Sequence, residues 1–184
     1  TRFGMTQPAV GICGDSTFFH ASIPPLVNAV YNKSSMTLIV LDNGGTAMTG
    51  FQPHPGTGQN AMKETATALS IEGICRAIGC RVEVRDPFDM EAATDTLCEL
   101  LKDDSGPKVL ILRRKCELIR MRQERKYPYK VWVDPEKCKG GKCGYCYKTF
   151  QCPGLSQDKE TGKAQIVEGI CVGCGACVSV CPYE

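Results

Sequence analysis

Short apolar runs alternate with longer mixed segments over the first 115 residues of the chain. The apolar runs have strand length and predict four β-strands, at 8–13, 36–41, 80–85 and 108–112. The segments between them predict three helices, at 23–32, 64–78 and 89–102. Pro24 and Pro25 suit the first turn of the first helix, and Gly79 suits the end of the second. Such alternation is typical of an α/β fold, a parallel sheet covered on both faces.

Composition is that of a globular protein, with 42% hydrophobic and 7% aromatic residues in a length of 184. That length can hold one ordinary domain and one small one. The longest apolar runs fall short of the roughly 20 residues that span a bilayer, so we expect no membrane partner. Many cysteines stand alone and no leader-like segment opens the chain, which favours the cytoplasm. The start at Thr1, without a methionine, indicates a piece of something longer.

Charge is unevenly spread around a net value of +2. The stretch 113–130 holds eight basic residues against two acidic ones. Such a run is either a solvated face or a docking segment for an acidic redox partner or a neighbouring subunit. No aromatic–basic motif of a nucleic-acid module accompanies it, so we expect no nucleic acid partner. We divide the chain into an α/β domain at 1–115, a basic linker at 116–130 and a cysteine-rich domain at 131–184.

Eight of the 13 cysteines lie between Cys138 and Cys181, in two sets of four that each end in Cys-Pro. The second set has the bacterial ferredoxin spacing for a cubane [4Fe–4S] cluster: Cys171, Cys174, Cys177 and Cys181. The first set is a stretched version of it: Cys138, Cys143, Cys146 and Cys152. In two-cluster proteins the cysteine before the proline binds the other cluster. We therefore expect Cys181 to complete the first cluster and Cys152 to complete the second.

Other cysteine chemistries compete with this interpretation. A zinc ribbon uses paired Cys-x2-Cys hooks far apart in sequence, whereas here three cysteines lie close together, twice. A secreted disulfide scaffold is disfavoured by five cysteines that stand singly among apolar residues: Cys13, Cys75, Cys80, Cys98 and Cys116. The first three cysteines of the first set also resemble the plant-type [2Fe–2S] spacing. Taken together, the two sets predict a small ferredoxin-like α+β domain with two [4Fe–4S] clusters.

Polar residues follow the first two predicted strands at the point where each strand ends. Gly14-Asp15-Ser16 follows the first, and Asp42-Asn43-Gly44-Gly45-Thr46 follows the second. Ligands of open parallel sheets bind beyond the carboxyl ends of the strands, so neighbouring strands would bring Asp15 and Asn43 to one spot. Carboxylate, amide and carbonyl oxygens suit Mg²⁺. The glycines permit close approach of a diphosphate, and hydroxyl donors are available from Ser16, Thr17 and Thr46.

These motifs resemble a known family. Gly14-Asp15-Ser16 followed by Asn43 is similar to the diphosphate-binding motif of thiamine diphosphate enzymes, although Ser16 stands in place of the third motif glycine. The strings 14–20, 43–50 and 53–58, with the cysteine sets, resemble the α subunit of indolepyruvate:ferredoxin oxidoreductases over essentially the whole chain. The resemblance implies Mg²⁺ ligands at Asp15, Asn43 and the Gly45 carbonyl. It implies cofactor contacts at Gly14, Asp15, Ser16, Thr17, Asn43, Gly45 and Thr46.

The resemblance also implies a reaction and its participants. An aryl 2-oxo acid loses CO₂ at thiamine diphosphate, coenzyme A takes the acyl group, and electrons leave through the clusters to an external ferredoxin. Such an enzyme needs a second α/β domain for the cofactor's aminopyrimidine, which these residues do not offer. The implied partners are therefore missing N-terminal domains of the same subunit and a smaller second subunit. We expect this chain to hold a truncated cofactor domain and the electron relay.

Two rival functions and the two histidines stay open at this point. A non-catalytic electron-transfer module would use the α/β part only for docking. A non-oxidative thiamine decarboxylase has no electrons to export, so the clusters argue against it. His20 and His54 are the only histidines, and each is either a structural polar residue or a donor to cofactor or substrate. His54 lies in a Gly/Pro-rich loop of the kind that closes over sites.

Overall fold

The computed structural model describes residues 7–124 and 130–183, which fall into two compact units, Thr1–Ile119 and Arg120–Glu184. The predicted linker 116–130 includes a helix at Glu117–Glu124, and its residues 125–129 lie outside the described part. No helix among the described residues is both long enough and apolar enough to cross a membrane.

The first unit is built on a four-stranded parallel sheet in the order β1-β2-β4-β3. Its strands are β1 (Ala9–Gly14), β2 (Met36–Asp42), β3 (Arg81–Arg85) and β4 (Pro107–Arg113). Each lies within one residue of its predicted bounds. The parallel α/β class expected from the sequence is confirmed, because every crossover from one strand to the next carries a helix.

Five helices accompany the sheet: α1 (Asp15–Thr17), α2 (Ile23–Tyr31), α3 (Ile71–Ile78), α4 (Met90–Lys102) and α5 (Glu117–Glu124). A π-helical turn, Phe18–Ser22, joins α1 to α2, so the helical path starts directly at the end of β1. The sequence had placed that start at residue 23. Pro24 and Pro25 lie in the first turn of α2 as expected, and Gly79 ends α3 with a φ of +100°.

The prediction of a helix over 64–78 is wrong for its first half. The side chain of Asn60 accepts the N–H groups of Met62 and Glu64, which stabilises a turn instead. The helix begins only after Ser70, whose hydroxyl accepts the N–H of Gly73 at 3.0 Å. The intervening residues return to the preceding loop, where the N–H groups of Ala66 and Leu69 donate to the carbonyls of Gly58 and Pro55.

Side-chain alternation along β2 and β4 places helices on both faces of the sheet. One face buries Leu38, Val40, Val109 and Ile111 against residues of α2 and α3, among them Leu26 and Cys75. The opposite face buries Ile39 and Leu110 against Leu100 of α4. Each such side chain removed from water stabilises the fold by about 1.5–3 kcal/mol, before the cost of ordering the chain.

The carboxyl ends of β1, β2 and β4 meet at one edge of the sheet. Gly14 is in register with Leu41, and Leu41 with Leu112. The loops after β1 and β2 therefore start side by side, as the sequence predicted.

The basic stretch after β4 forms ion pairs with acidic residues of the chain itself. Arg113 lies 2.8 Å from Asp42, and Arg114 lies 2.7 Å from Asp86. The guanidinium of Arg114 also stacks 3.8 Å from the ring centroid of Phe88. Much of this charge is therefore matched within the unit.

The second unit is a small α+β fold, as expected. An antiparallel pair, β5 (Leu155–Gln157) and β6 (Ala164–Ile166), is accompanied by a short helix, α6 (Ala176–Ser179). Helical turns at Gly140–Lys142 and Tyr145–Thr149 carry the first cysteines. Gly140 has a φ of +57°, and a Cβ there would lie 2.6 Å from the carbonyl oxygen of Gly162, so only glycine fits.

Candidate cofactor and cluster sites

Asp15 is the centre of the sheet-edge site. Its side chain is only 3% exposed although it carries a carboxylate. One oxygen, Oδ1, accepts the N–H of Ser16 at 2.8 Å. The other, Oδ2, accepts the N–H of Gly44 at 2.8 Å and that of Asn43 at 3.1 Å. The structure thus brings Asp15 and Asn43 together across 28 residues of sequence, at the end of two neighbouring strands.

Three successive amides after β2 point at this carboxylate. The N–H of Gly45 lies 3.3 Å from Oδ2 and 3.2 Å from the side-chain oxygen of Asn43. Gly44 makes this convergence possible because its φ of +78° belongs to the left-handed region. Consecutive N–H groups arranged in this way form a concave anion-binding surface.

The loop after β2 is held from behind by the segment that follows β4. The N–H of Cys116 donates to the carbonyl of Asn43 at 2.9 Å, and the N–H of Arg114 donates to that of Asp42 at 3.0 Å. A Cβ built at Gly45 would lie 2.8 Å from Cδ1 of Ile119. Sequence reasoning missed these supports, because backbone hydrogen bonds and packing over some 70 residues leave no motif.

The remaining predicted cofactor residues surround the same spot. Ser16 is half-buried and Thr17 exposed at the start of α1, directly after Gly14. Thr46 is half-buried and pairs with Gln52 across a small bridge. Apart from the adjacent residues, no described residue has an atom within 4 Å of a Cβ position at Gly14 or Gly44. A phosphate can therefore approach both backbones closely.

The donor set at this edge fits thiamine diphosphate bound through Mg²⁺. A buried carboxylate and an amide oxygen lie in adjacent loops, and these hard ligands are the ones that Mg²⁺ takes. The N–H groups of residues 43–45 hold these two ligands in place, so the donors left for phosphate oxygens are side-chain hydroxyls. Hydroxyls of Ser16 and Thr46 lie beside them.

His54 adds a buried imidazole to the site. It is 7% exposed, and its Nε2 lies 3.1 Å from Oδ2 of Asp15. Its Nδ1 accepts the N–H of Gly56 at 3.1 Å. His20, by contrast, is exposed on the π-helical turn. The structure therefore distinguishes two histidines that the sequence left equivalent.

In the second unit, five cysteines line a cavity of about 240 Å³: Cys138, Cys143, Cys146, Cys177 and Cys181. Four of them are the set predicted for the first cluster. Two backbone N–H groups face Sγ of Cys138, from Gly140 at 3.4 Å and from Ala164 at 3.5 Å. Such N–H···S contacts are those that tune cluster potentials.

A second cavity of about 290 Å³ adjoins the first, and the cysteines that line it are Cys152, Cys171, Cys174 and Cys177. These four are the set predicted for the second cluster. Cys177 lines both cavities, which places them side by side. Gly154 packs closely here, since a Cβ there would lie 3.1 Å from Cα of Cys171.

The pKa values of the thiols reflect the same two groups of cysteines. Burial raises the pKa of Cys146, and the nearby thiolates of Cys138 and Cys181 raise it further. Burial also raises the pKa of Cys177 to about 11, with Cys152 and Cys174 adding to the effect. Each predicted crosswise cysteine, Cys181 and Cys152, thus acts electrostatically on the set it was assigned to.

The cysteine arrangement fits cubane clusters better than single metal ions. All 13 cysteines are free thiols. Within residues 7–124 and 130–183, no three histidine, cysteine or acidic side chains converge closely enough to hold one ion. In a cubane each thiolate binds a different iron, so four thiolates spread around a cavity wall are the required donor set.

Tyr147 is a second residue that sequence reasoning missed. It lines the first cavity, and its buried hydroxyl has no hydrogen-bond partner among the described residues. Its position next to Cys146 was the available signal, but an aromatic beside a cysteine is ordinarily read as packing.

Two family models match the chain, one in each part. The model for "Thiamine pyrophosphate enzyme, C-terminal TPP binding domain" matches residues 4–112. The model for "4Fe-4S dicluster domain" matches residues 130–182. The expected cofactors are thereby confirmed: thiamine diphosphate, with the Mg²⁺ usual in such enzymes, and two [4Fe–4S] clusters.

Curated relatives match almost the whole chain. The chain is 42% identical to indolepyruvate oxidoreductase subunit IorA of Archaeoglobus fulgidus over 97% of its length, and 40% identical to that of Thermococcus kodakarensis over 97%. It spans 28% of the length of each relative. A solved thiamine diphosphate-dependent 4-hydroxybenzoylformate decarboxylase of Rhodococcus jostii is 22% identical over 60% of this chain and 20% of that chain, with a TM-score of 0.46.

The first family model covers more than half of the chain, and its match coincides with the sheet whose edge carries Asp15 and Asn43. The match of the second family model, residues 130–182, covers the cysteines that line the two cavities. The chain therefore belongs to the thiamine pyrophosphate enzymes, of which it contains the C-terminal TPP-binding domain followed by a 4Fe-4S dicluster domain.

Proposed function

We propose that the chain is part of a 2-oxo acid:ferredoxin oxidoreductase that acts on an aryl pyruvate, with indolepyruvate as the first candidate. The observation that carries this proposal is the coexistence, in one chain, of the Asp15–Asn43 site and two adjoining cavities lined by cysteines. The first suits a cofactor that cleaves a carbon–carbon bond, and the second suits an outlet for single electrons. The name of the relatives, indolepyruvate oxidoreductase subunit IorA, supports indolepyruvate as substrate.

The overall chemistry balances without any further oxidant. A 2-oxo acid and coenzyme A give an acyl-CoA, CO₂ and a proton, and two electrons pass one at a time to ferredoxin. Thiamine diphosphate supplies the electron sink that permits loss of CO₂. A nicotinamide enzyme would transfer a hydride and would have no use for one-electron relays.

In this proposal the sheet edge anchors the cofactor. Asp15 and Asn43 provide side-chain oxygens for Mg²⁺, and Gly45 provides its carbonyl. The hydroxyls of Ser16 and Thr46 would hold the diphosphate. Because Asp15 is buried and fixed by four backbone N–H groups, its carboxylate would offer Mg²⁺ a ligand at a fixed position and so help to position the diphosphate.

The eight cysteines hold the two clusters crosswise. Cys138, Cys143 and Cys146 share the first cluster with Cys181, while Cys171, Cys174 and Cys177 share the second with Cys152. The location of Cys177 on the walls of both cavities supports short electron transfer between the clusters. The free thiols at Cys13, Cys75, Cys80, Cys98 and Cys116 support a reducing, cytoplasmic setting.

The proposal requires partners that complete the active site. Since the chain spans 28% of the length of its relatives, the aminopyrimidine pocket would be formed by other domains of the same subunit or by a smaller second subunit. Ferredoxin is the proposed electron acceptor.

The test is an anaerobic assay of the complete enzyme, in which ferredoxin reduction is followed with indolepyruvate, phenylpyruvate, hydroxyphenylpyruvate and pyruvate. We expect reduction to require an aryl 2-oxo acid, coenzyme A, thiamine diphosphate and Mg²⁺, and Asp15→Asn to abolish it with the clusters retained. The matched control is Asp95→Asn, a change at an exposed carboxylate of α4. An enzyme that assembles both clusters but binds no thiamine diphosphate would instead be an electron-transfer module.

A further inference from the structure

The imidazole of His54 is held in one tautomer. Its Nδ1 accepts the backbone N–H of Gly56 at 3.1 Å, so Nδ1 carries the lone pair and Nε2 carries the proton of the neutral ring. The hydroxyl and the N–H of Thr57 both donate to the carbonyl of His54, at 2.8 and 2.9 Å. The ring is therefore a donor at Nε2, presented by a turn that is itself hydrogen-bonded.

The ring is also fixed by packing. Phe19 lies against it with the two ring centroids 5.6 Å apart and a tilt of 31°. A Cβ at Gly56 would lie 3.0 Å from the Phe19 ring and 3.1 Å from the His54 ring. Only glycine lets the loop close this tightly, so the turn at 54–57 is shaped around the histidine.

The proton on Nε2 faces Asp15. Nε2 lies 3.1 Å from Oδ2, yet the N–H is not aligned with any acceptor among the described residues, and both side chains are at least 96% buried. A buried donor without an aligned acceptor is destabilising. A small rotation of the carboxylate satisfies it. Oδ1 accepts only the N–H of Ser16 among the described residues, so it is the carboxylate oxygen with acceptor capacity left for a cation.

We propose that His54 is a positioning residue for Asp15, which donates through Nε2 to Oδ2 and thereby fixes the carboxylate for Mg²⁺. This inference rests on the proposed function only in taking Asp15 as a metal ligand. His54 contacts neither cofactor nor substrate in this role. It acts as the outer partners of metal ligands do, whose loss costs about 10–100-fold in metal affinity.

Two substitutions of His54 by amide side chains distinguish a hydrogen-bonding role of the imidazole from a role in packing alone. In His54→Gln the side-chain nitrogen can reach the position of Nε2, whereas in His54→Asn it reaches only that of Nδ1. We expect His54→Asn to weaken Mg²⁺-dependent binding of thiamine diphosphate by about 10–100-fold and His54→Gln to restore it to within a few-fold of wild type. His20→Gln, at the exposed histidine, should leave it unchanged.

The measurement is calorimetric titration of the complete enzyme with Mg²⁺ at saturating thiamine diphosphate, with iron content and circular dichroism as checks on folding. Equal losses in the two amide variants, or no loss in either, overturn the positioning role. If the wild-type enzyme binds Mg²⁺ and thiamine diphosphate but does not reduce ferredoxin with any 2-oxo acid, the proposed function is overturned and the positioning role of His54 still stands. Absence of Mg²⁺-dependent binding in wild type overturns both.

Discussion

Ile119 packs directly on the backbone of Gly45. A Cβ built at Gly45 would lie 2.8 Å from Cδ1 of Ile119, and the Gly45 amide belongs to the loop that converges on Asp15. Ile119 lies in the first turn of α5, so the start of the helix that follows the sheet supports the candidate diphosphate loop. The contact links two parts of the chain whose sequences give no sign of it.

Gly45→Ala tests this contact. Cδ1 is the end of a flexible side chain, so Ile119 can yield to a methyl group, and we expect a loss of about 1 kcal/mol in unfolding free energy and a comparable loss in cofactor binding. Ile119→Val removes Cδ1, so Gly45→Ala should cost little in that background. The double-mutant cycle, measured by denaturant unfolding and calorimetry, gives the coupling. Equal costs in both backgrounds would mean that the loop is not supported by Ile119.

Asp15→Asn tests the centre of the site. The substitution removes the charge and turns an NH₂ group towards the N–H groups of residues 43–45, so we expect more than about a 100-fold loss of Mg²⁺-dependent thiamine diphosphate binding. Unfolding free energy should fall by about 1–3 kcal/mol, because backbone N–H donors would face the NH₂ group of the asparagine instead of an acceptor. Calorimetry measures the first and denaturant titration the second. If the variant binds thiamine diphosphate and Mg²⁺ with wild-type affinity, Asp15 is not a metal ligand.

The sheet and its polar edge could be predicted because their signals are local. The two central strands, β2 and β4, are apolar runs buried over most of their length, and Gly14-Asp15 and Asp42-Asn43 stand where β1 and β2 end. Parallel order then requires that neighbouring carboxyl ends share an edge. The distance of 3.1 Å between the Asn43 nitrogen and Asp15 Oδ2 follows from this geometry.

The parts that could not be predicted depend on side chains meeting across the fold. Helical pattern alone extended α3 back to residue 64, but the hydrogen bonds of Asn60 and the cap at Ser70 override it. The contact of His54 with Asp15 depends on the path of the 50–58 loop. The glycines and prolines of this loop predict turns, but they do not predict which part of the sheet the loop approaches. Tyr147 lies on a cavity wall that exists only once the cysteine loops are folded.

Serine substitutions test the crosswise cluster assignment. We expect Cys181→Ser to perturb the same EPR signal as Cys143→Ser, and Cys152→Ser to perturb the same signal as Cys174→Ser. Iron content should fall from about eight per chain towards about four in each variant, because one cubane loses a ligand. Cys98→Ser, at an exposed cysteine outside both sets, should keep all of the iron. A signal shared by Cys181→Ser and Cys174→Ser would show that the sets are not crossed.

Thiol alkylation tests the buried core of the first unit. Burial raises the pKa of Cys75 to about 12, and the side chain is fully buried between the sheet and α3. Only the thiolate form of a cysteine reacts with the reagent. At pH 8 about one Cys75 thiol in ten thousand is ionised, and this fraction increases about tenfold for each unit by which the pH is raised towards the pKa. We expect iodoacetamide to label the exposed Cys98 first and Cys75 only after unfolding, as mapped by mass spectrometry. Comparable labelling rates at pH 8 would mean that the core opens readily.

Tyr147→Phe tests a hydrogen bond to the first cluster. The buried hydroxyl has no partner among the described residues, lines the first cavity, and has its pKa raised by burial and by the thiolates of Cys146 and Cys138. We infer that the O–H donates to a cluster or cysteine sulfur. Such a donor stabilises the more negative, reduced cluster, so its removal should lower the midpoint potential of one cluster and leave the other unchanged. Redox titration monitored by EPR measures both, with Tyr31→Phe, at an 84% exposed tyrosine, as the control. Unchanged potentials with full iron content would exclude the hydrogen bond.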